Sequence, residues 1–359
     1  MGRSAVNNPG GLQAHVRRYQ HRASSGVVAF RFDDAPVTDL PLAWLLGRQG
    51  ISVELAVPAA FVGKPRRLRR GHLRALLRAG HTVANHSYAH GPAPTEMSGL
   101  AAELRRADEW FEANGVRTLS FVQPGPWSAG GPGSLDTPER AAALSDALGG
   151  RYLCLEGYAS QPVLPGPSSA ESRFGLSHVT LDGMTWPEIQ LVVTRAVEER
   201  GFVEFVAHTA RCLRLRPGIL LGWRLLKLAR LCSGLERQGR LVCRSVIAGL
   251  WAHQGEGRSL VDGGAVQSRG ESQAWRFVEP LVPGMPYRFE WRSGEQVPAR
   301  REKSARILDP STGAGFRLRL RRFGGSLAAR FGVPSEGAWE LRTTGLPPGG
   351  PGSIAVHVA

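Results

Sequence analysis

The feature that most constrains this chain is a repeated switch between two hydrophobic periods. From Gly26 to about Trp251, short and almost wholly apolar runs alternate with stretches whose apolar residues recur three and four positions apart. The first pattern belongs to strands buried on both faces and the second to amphipathic helices. Alternating them in one chain gives a mostly parallel sheet covered by crossover helices. The pattern predicts strands over 27–32 (VVAFRF), 52–57, 82–85, 118–122, 151–156, 178–181, 202–207 and 241–246. It predicts helices over 40–48, 72–78, 98–113 and 223–237. The helix over 98–113 is read from Leu100, Leu104, Ala107 and Phe111, and Trp44 and Trp110 fall at core spacing on their helices.

At 359 residues the chain is long for one domain. Its character changes after Ala252. Residues 253–270 are polar and glycine-rich, a linker, and beyond them apolar residues alternate singly with polar ones, as in Tyr287, Phe289 and Trp291. The expected organisation is an N-terminal extension (1–25), an α/β domain (26–252), the linker (253–270) and a smaller all-β sandwich (271–359). A strand over 316–321 would place Arg317, Arg319 and Arg321 on one face, where they would bind an anionic glycan or be solvated.

The chain carries 45 Lys and Arg against 30 Asp and Glu, a formal charge of +15. That excess is arginine spread along the chain, with no dense basic block interleaved with aromatics, so nucleic acid is not an expected partner. The cysteines Cys154, Cys212, Cys232 and Cys243 show no CxxC spacing and read as small buried hydrophobes. The apolar run near 218–226 is broken by Gly222 and Arg224, so no membrane span is expected. Residues 1–26 lack an apolar core of the length a secretory signal needs. As written the chain is expected in the cytoplasm, or outside it if the start is truncated or misassigned.

Three groups of residues carry chemistry. Asp33 and Asp34 end the first strand, and open α/β sheets and barrels build their sites at that end. Adjacent strand residues point to opposite sides, so the two carboxylates can serve different roles. His86 and His90 lie four apart in HSYAH, and would share one side of a helical turn if the chain turns after the strand over 82–85. Two histidines and a carboxylate form a three-ligand catalytic metal site with one position left for water. His208 follows the apolar strand FVEFVA on the same predicted edge and could protonate a departing amine.

These residues sit in segments that resemble the polysaccharide deacetylase family, also called NodB-homology or carbohydrate esterase family 4. Arg31-Phe32-Asp33-Asp34-Ala35-Pro36 is similar to its first motif and Gly80 to His90 (GHTVANHSYAH) to its second. The resemblance covers about 27–250. It implies a distorted (β/α) barrel, with Asp33 as catalytic base, Asp34, His86 and His90 as ligands of a divalent metal, usually zinc, and His208 as general acid. The implied substrate is an acetylated glycan. The third motif is partial: in Phe121-Val122-Gln123-Pro124-Gly125-Pro126-Trp127, Val122 stands where an arginine is expected, and Gly125 where a backbone N–H helps bind the oxyanion. Asp182 is the nearest candidate for the acid that would orient the missing arginine. Trp127 would stack on a sugar ring or anchor its loop. The C-terminal region loosely resembles jelly-roll carbohydrate-binding modules, with aromatics from Trp275 to Tyr287 and Trp339 either filling a core or binding sugar. The chemistry expected is removal of an N-acetyl group from an amino-sugar polymer or glycoconjugate. The alternatives are a non-catalytic glycan-binding protein and an amidase for a small non-sugar C–N substrate.

Overall fold

The structure is a computed structural model that describes residues 9–127, 135, 137–157, 163–164, 174–176, 178–213 and 217–256, and, between 258 and 359, the strands named below with their flanking residues. After helix α1 (Pro9–Tyr19), strand and helix alternate. β1 (Gly26–Asp33), α2 (Asp39–Gly47), β2 (Glu54–Val57), α3 (Arg70–Arg78), β3 (Thr82–Asn85), α4 (Met97–Ala113), β4 (Ser120–Val122), α5 (Pro138–Ala147) and β5 (Cys154–Glu156) come first. β6 (Val163–Leu164), β7 (Phe174–Leu176), β8 (Val179–Thr180), α6 (Trp186–Glu198), β9 (Phe202–Ala207), α7 (Pro217–Arg237), β10 (Leu241–Cys243) and α8 (Val246–Leu250) follow. The sheet runs β9-β1-β2-β3-β4-β5-β7 in parallel, and β10 shares the β2 edge of β1. β7 pairs with β5 while β8, three residues on, pairs with β9. One short segment therefore joins the two sides of the sheet and curls it into a distorted barrel.

Parity along the strands sorts the side chains. Val28, Phe30 and Phe32 of β1 pack outward with Leu46 of α2, Leu73 and Leu76 of α3, Ala196 of α6 and Leu228 of α7. Val27 and Ala29 pack on the other side with Phe202, Val246, Ile247 and Trp251. Arg31 and Asp33 have that inner parity too, so the barrel interior passes from apolar at the strand starts to charged near the strand ends. The approach of α6 to β1 requires Gly26, since a Cβ there would sit 2.2 Å from the Ala196 carbonyl oxygen.

β3 and β9 fall where the apolar pattern places them. The strand predicted over 241–246 stops at Cys243, and Ser245 caps α8 by accepting from the Ala248 N–H. α1, α5 and α6 are additional. α6 opens on a capping box, with Glu188 accepting from the Thr185 backbone N–H at 2.6 Å.

Beyond the barrel, β11 (Gln267–Arg269), β12 (Ser272–Arg276), β13 (Tyr287–Arg292), β14 (Ser304–Leu308), β15 (Gly315–Leu318), β16 (Arg321–Phe323), β17 (Ser326–Phe331), β18 (Glu340–Thr344) and β19 (Ile354–Val358) form two antiparallel sheets. Their orders are β11-β12-β18-β14-β15 and β16-β17-β13-β19, an all-β sandwich. Tyr287, Phe289, Trp291 and Trp275 are buried in its core. Those aromatics therefore pack rather than present rings to a sugar. The strand expected over 316–321 is divided: Arg317 lies on β15 and Arg321 on β16, in different sheets, and Arg319 lies outside the described residues.

The sandwich is seated against the strand-start end of the barrel. The cluster holding Val27 and Phe202 continues through α1 and α8 to Tyr287, Phe331 and Val358. Ser245 Oγ donates to the Ala359 carbonyl at 3.0 Å. Gly80, at φ +84° after α3, faces Arg330 so closely that a Cβ would meet the Arg330 Cβ at 2.8 Å. Cys154, Cys232 and Cys243 are buried free thiols, and the Cys212 side chain lies outside the described residues. No described helix is long and apolar enough to cross a membrane.

Candidate active site

The ends of β1, β3 and β9 deliver Asp33–Asp34, His86 and His208 to one end of the barrel, because parallel strands share their C-terminal edge. At Asp34 the chain leaves the extended conformation, at φ +73°, while the Asp34 N–H still donates to the Ala56 carbonyl of β2 at 3.1 Å. That turn separates the two carboxylates. Asp33 stays inside the barrel and Asp34 reaches the histidines.

His86 and His90 do not share a helical turn. The segment after β3 is a loop with Ser87 at φ +63° and His90 at φ +57°. Glu103 of α4 holds it open by accepting from the Tyr88 and Ala89 N–H groups at 3.0 and 3.1 Å, and Ser87 Oγ accepts from the His90 N–H at 2.9 Å. Backbone donors that a helix would use internally are spent on Glu103, so the two rings meet through a strained loop. Below the loop, Asn85 Nδ2 donates to Asp108 at 3.0 Å and to Tyr152 Oη at 2.8 Å, tying the end of β3 to α4.

One donor atom each from Asp34, His86 and His90 lies within 4.8 Å of the others. Asp34 Oδ1 is 3.2 Å from His90 Nε2 and 3.9 Å from His86 Nε2, and it is buried without a hydrogen-bond partner. His86 donates Nδ1–H to the Val122 carbonyl at 2.8 Å, which leaves the Nε2 lone pair toward Asp34. Burial holds His86 down at about 4, so the ring is neutral near pH 7. Two imidazoles and an orphaned carboxylate oxygen fit a borderline divalent cation such as zinc.

Asp33 faces the barrel interior, where Arg31 lies two residues earlier on the same side of β1. Arg31 Nε donates to Asp33 Oδ1 at 2.8 Å, and Nη1 donates to Glu204 of β9 at 2.9 Å and to Glu156 of β5. Burial would raise the Asp33 carboxyl, but the charge of Arg31, with His86 and His208 adding to it, brings Asp33 to about 2. The Val122 side chain, where an arginine was expected, packs in a small cluster with Ala56 and Ala84. The guanidinium beside Asp33 comes from β1 instead. Glu54 completes the ring, held by Ser120 Oγ at 2.7 Å, and burial raises Glu54 and Glu156 far above the carboxylate range and Glu204 to about 7. One guanidinium keeps Asp33 ionised among carboxyls that retain protons.

Asp182 does not orient an arginine beside Asp33. Its Oδ2 is 2.7 Å from His208 Nδ1 and its Oδ1 accepts the His208 N–H at 3.1 Å, while Arg211 pairs with it at 2.9 Å. The Asp182 hydrogen bond raises the His208 pKa against the effect of burial, so the imidazolium persists to higher pH. Asp182 also fixes the tautomer, leaving Nε2 free to exchange a proton. His178, just before β8, lies close enough to Asp33, His86 and His208 to feel their charges.

Gly125 opens a 3-10 turn over Gly125–Trp127 and is exposed. Trp127 is only 2% exposed; its indole N–H donates to the Gly91 carbonyl at 2.9 Å and its ring packs on Phe121. It anchors the loop against the segment after His90 and has no free face for a sugar ring. Trp44 also departs from expectation. It lies on the solvent side of α2, 54% exposed, whereas Trp110 is half-buried under Arg70.

The chain matches no family model and no curated protein. Solved structures similar to it include a family 4 carbohydrate esterase from Streptomyces lividans in complex with acetate, at 17% identity and TM-score 0.39 over 63% of this chain and 95% of that one. A peptidoglycan deacetylase from Bacillus subtilis aligns at 14% identity and TM-score 0.38, over 62% of this chain and 89% of that one. A CE4 family pseudoenzyme from Bacillus anthracis aligns at 13% identity and TM-score 0.35, over 59% of this chain and 64% of that one.

Proposed function

We propose that this chain is a metal-dependent hydrolase that removes N-acetyl groups from an amino-sugar polysaccharide or glycoconjugate. The observation that carries this reading is the convergence of His86, His90 and the orphaned Asp34 Oδ1 within 4.8 Å, beside an ionised Asp33 and a protonatable His208.

Asp34, His86 and His90 would hold the cation, most simply zinc, which when bound polarises an acyl carbonyl and acidifies water. Asp33 accepts the proton of the attacking water, and Arg31 keeps that carboxylate charged and aimed. His208, held through Nδ1 by Asp182, passes a proton from Nε2 to the departing amine as the C–N bond breaks. The Gly125 backbone N–H, at the start of the 3-10 turn, would stabilise the oxyanion, a role that needs no side chain. The substrate approaches at the strand-end face, opposite the sandwich.

The test pairs metal analysis with acetate release from acetylated chito-oligosaccharides and peptidoglycan fragments. Wild type is expected to hold one divalent ion and release acetate. Chelation and Asp33→Asn should each abolish release, and Asp33→Asn should keep the metal. Wild type that binds no metal overturns the reading. Wild type that binds metal and glycan but releases no acetate identifies a non-catalytic glycan-binding protein.

A further inference from the structure

The αβ turns at the strand-start end of the barrel, before β2, β3 and β10, form one wall of a cleft of about 850 Å³, and the sandwich forms the other. Its lining is strongly biased in charge. Among the described residues that line it, Arg48, Arg78, Arg237, Arg288, Arg317 and Arg330 stand against a single carboxylate, Glu236. Glu236 is already engaged, accepting the Cys243 N–H at 3.2 Å and lying 3.7 Å from Arg244.

Arg330 is the inner member. It stands directly opposite Arg288 in the β13–β17 pairing, where like charges repel. Arg288 is matched by Glu290 at 2.7 Å. Among the described residues Arg330 reaches only the Cys243 carbonyl through Nη2, at 3.4 Å, and its Nη1 is buried with no hydrogen-bond partner among them. Burial, with Arg288 and Arg244 nearby, lowers Arg330 to about 10 even though the Glu236 carboxylate opposes the shift. A covered guanidinium with an unused donor and cationic neighbours is costly unless an anion completes it. His81 adds a neutral ring: its Nδ1 accepts the Val53 N–H at 3.1 Å, so its remaining proton is on Nε2, the side facing Gly47. Apart from Gln49 the rest of the lining is apolar, with exposed Trp44 and Leu45 from the barrel and Phe316 and Leu318 from the sandwich.

From this arrangement we infer that the cleft between the barrel floor and the sandwich binds a small ligand bearing carboxylate or phosphate groups on a body with one apolar face. The guanidiniums take the anion by paired hydrogen bonds, and Trp44 takes the apolar face. The volume suits a ligand of a few sugar rings or a short acyl chain. This site lies at the opposite end of the barrel from Asp34, His86 and His90 and does not depend on their chemistry.

Titration calorimetry on the full chain tests the inference with three probes: inorganic phosphate, tri-galacturonate and dodecyl phosphate. Binding of tri-galacturonate or dodecyl phosphate more tightly than inorganic phosphate, weakening as salt is raised, supports it, and the tighter of the two identifies the body. Arg330→Met should weaken that binding about tenfold or more, the effect of losing one charged hydrogen-bond partner. Arg78→Ser and Trp44→Ala alter exposed rim side chains and should each weaken it several-fold with the fold intact, which keeps the test valid if Arg330→Met misfolds. His86→Ala should leave the affinity unchanged. Failure of all three probes to bind overturns the inference, as does binding indifferent to the Arg330, Arg78 and Trp44 variants.

Discussion

Replacing Arg31 by Met is the most informative single perturbation, because Arg31 is the cation on which the barrel interior is organised. The variant keeps the stem and removes the guanidinium that reaches Asp33, Glu156 and Glu204. Two of those partners have an escape, since burial already favours protonated Glu156 and a Glu204 that titrates near 7. Asp33 has none while it stays ionised. Its fall from 3.8 to about 2 corresponds to roughly 2 kcal/mol of stabilisation. Stripping one partner from a buried ion pair costs about 3–5 kcal/mol in general, so a loss of about 3 kcal/mol in urea unfolding at pH 7 is expected. The pH dependence carries the sign. A carboxylate with a depressed folded pKa contributes stability above its unfolded value, and that contribution disappears as pH falls through about 2. The difference between wild type and Arg31→Met should therefore shrink between pH 4 and pH 2. Arg31→Lys keeps the charge without the fork and should fall between the two. Acetate release should drop by about a hundredfold or more in Arg31→Met, the usual contribution of a well-placed general base, with metal content unchanged. Wild-type stability and rate in Arg31→Met would refute the argument that Arg31 holds Asp33 charged.

The other expectations follow from the same geometry. His86→Ala should lower zinc affinity by more than the roughly tenfold to hundredfold that loss of a supporting hydrogen bond costs, read by competition with a chromogenic chelator. Glu204→Gln should flatten the pH dependence of stability. Burial raises the folded Glu204 pKa to about 7, so wild type has a contribution of about 3 kcal/mol that is complete below about 4.5 and lost as pH rises through 7, which unfolding curves across that window will show. Asp182→Asn removes the largest cause of the raised His208 pKa, and the alkaline limb of the pH–rate profile should move to lower pH. Trp127→Phe should cost about 1 kcal/mol through the lost hydrogen bond to Gly91, with little change in KM because the ring is buried; a large KM increase at unchanged stability would restore a sugar-stacking role.

The residues of the candidate site were legible in the sequence because they depend on local order. Asp33, Asp34, His86 and His208 each follow an apolar run, and parallel strands put such positions at one edge whatever the order of the strands in the sheet. The partners of these residues were not legible, because each comes from another element 26 to 36 positions away. Asp182 reaches His208 through β8 and β9, Val122 offers His86 a carbonyl from β4, and Trp127 finds Gly91 thirty-six positions away. The missing arginine shows the difference most clearly. Motif order places it at 122, while the structure places a guanidinium at 31, and the sign of that replacement is present in the sequence as parity. Arg31, Glu54, Glu156 and Glu204 are charged residues in otherwise apolar strand runs, and Arg31 shares the inward parity of Asp33. A lone charge in a strand buried on both faces must meet an opposite charge or keep a proton, so these four positions imply a shared polar layer inside the barrel. Only the register, with Arg31 opposite Glu54 and Ala29 opposite Glu204, brings them to one level, and with it identifies the cation that serves Asp33.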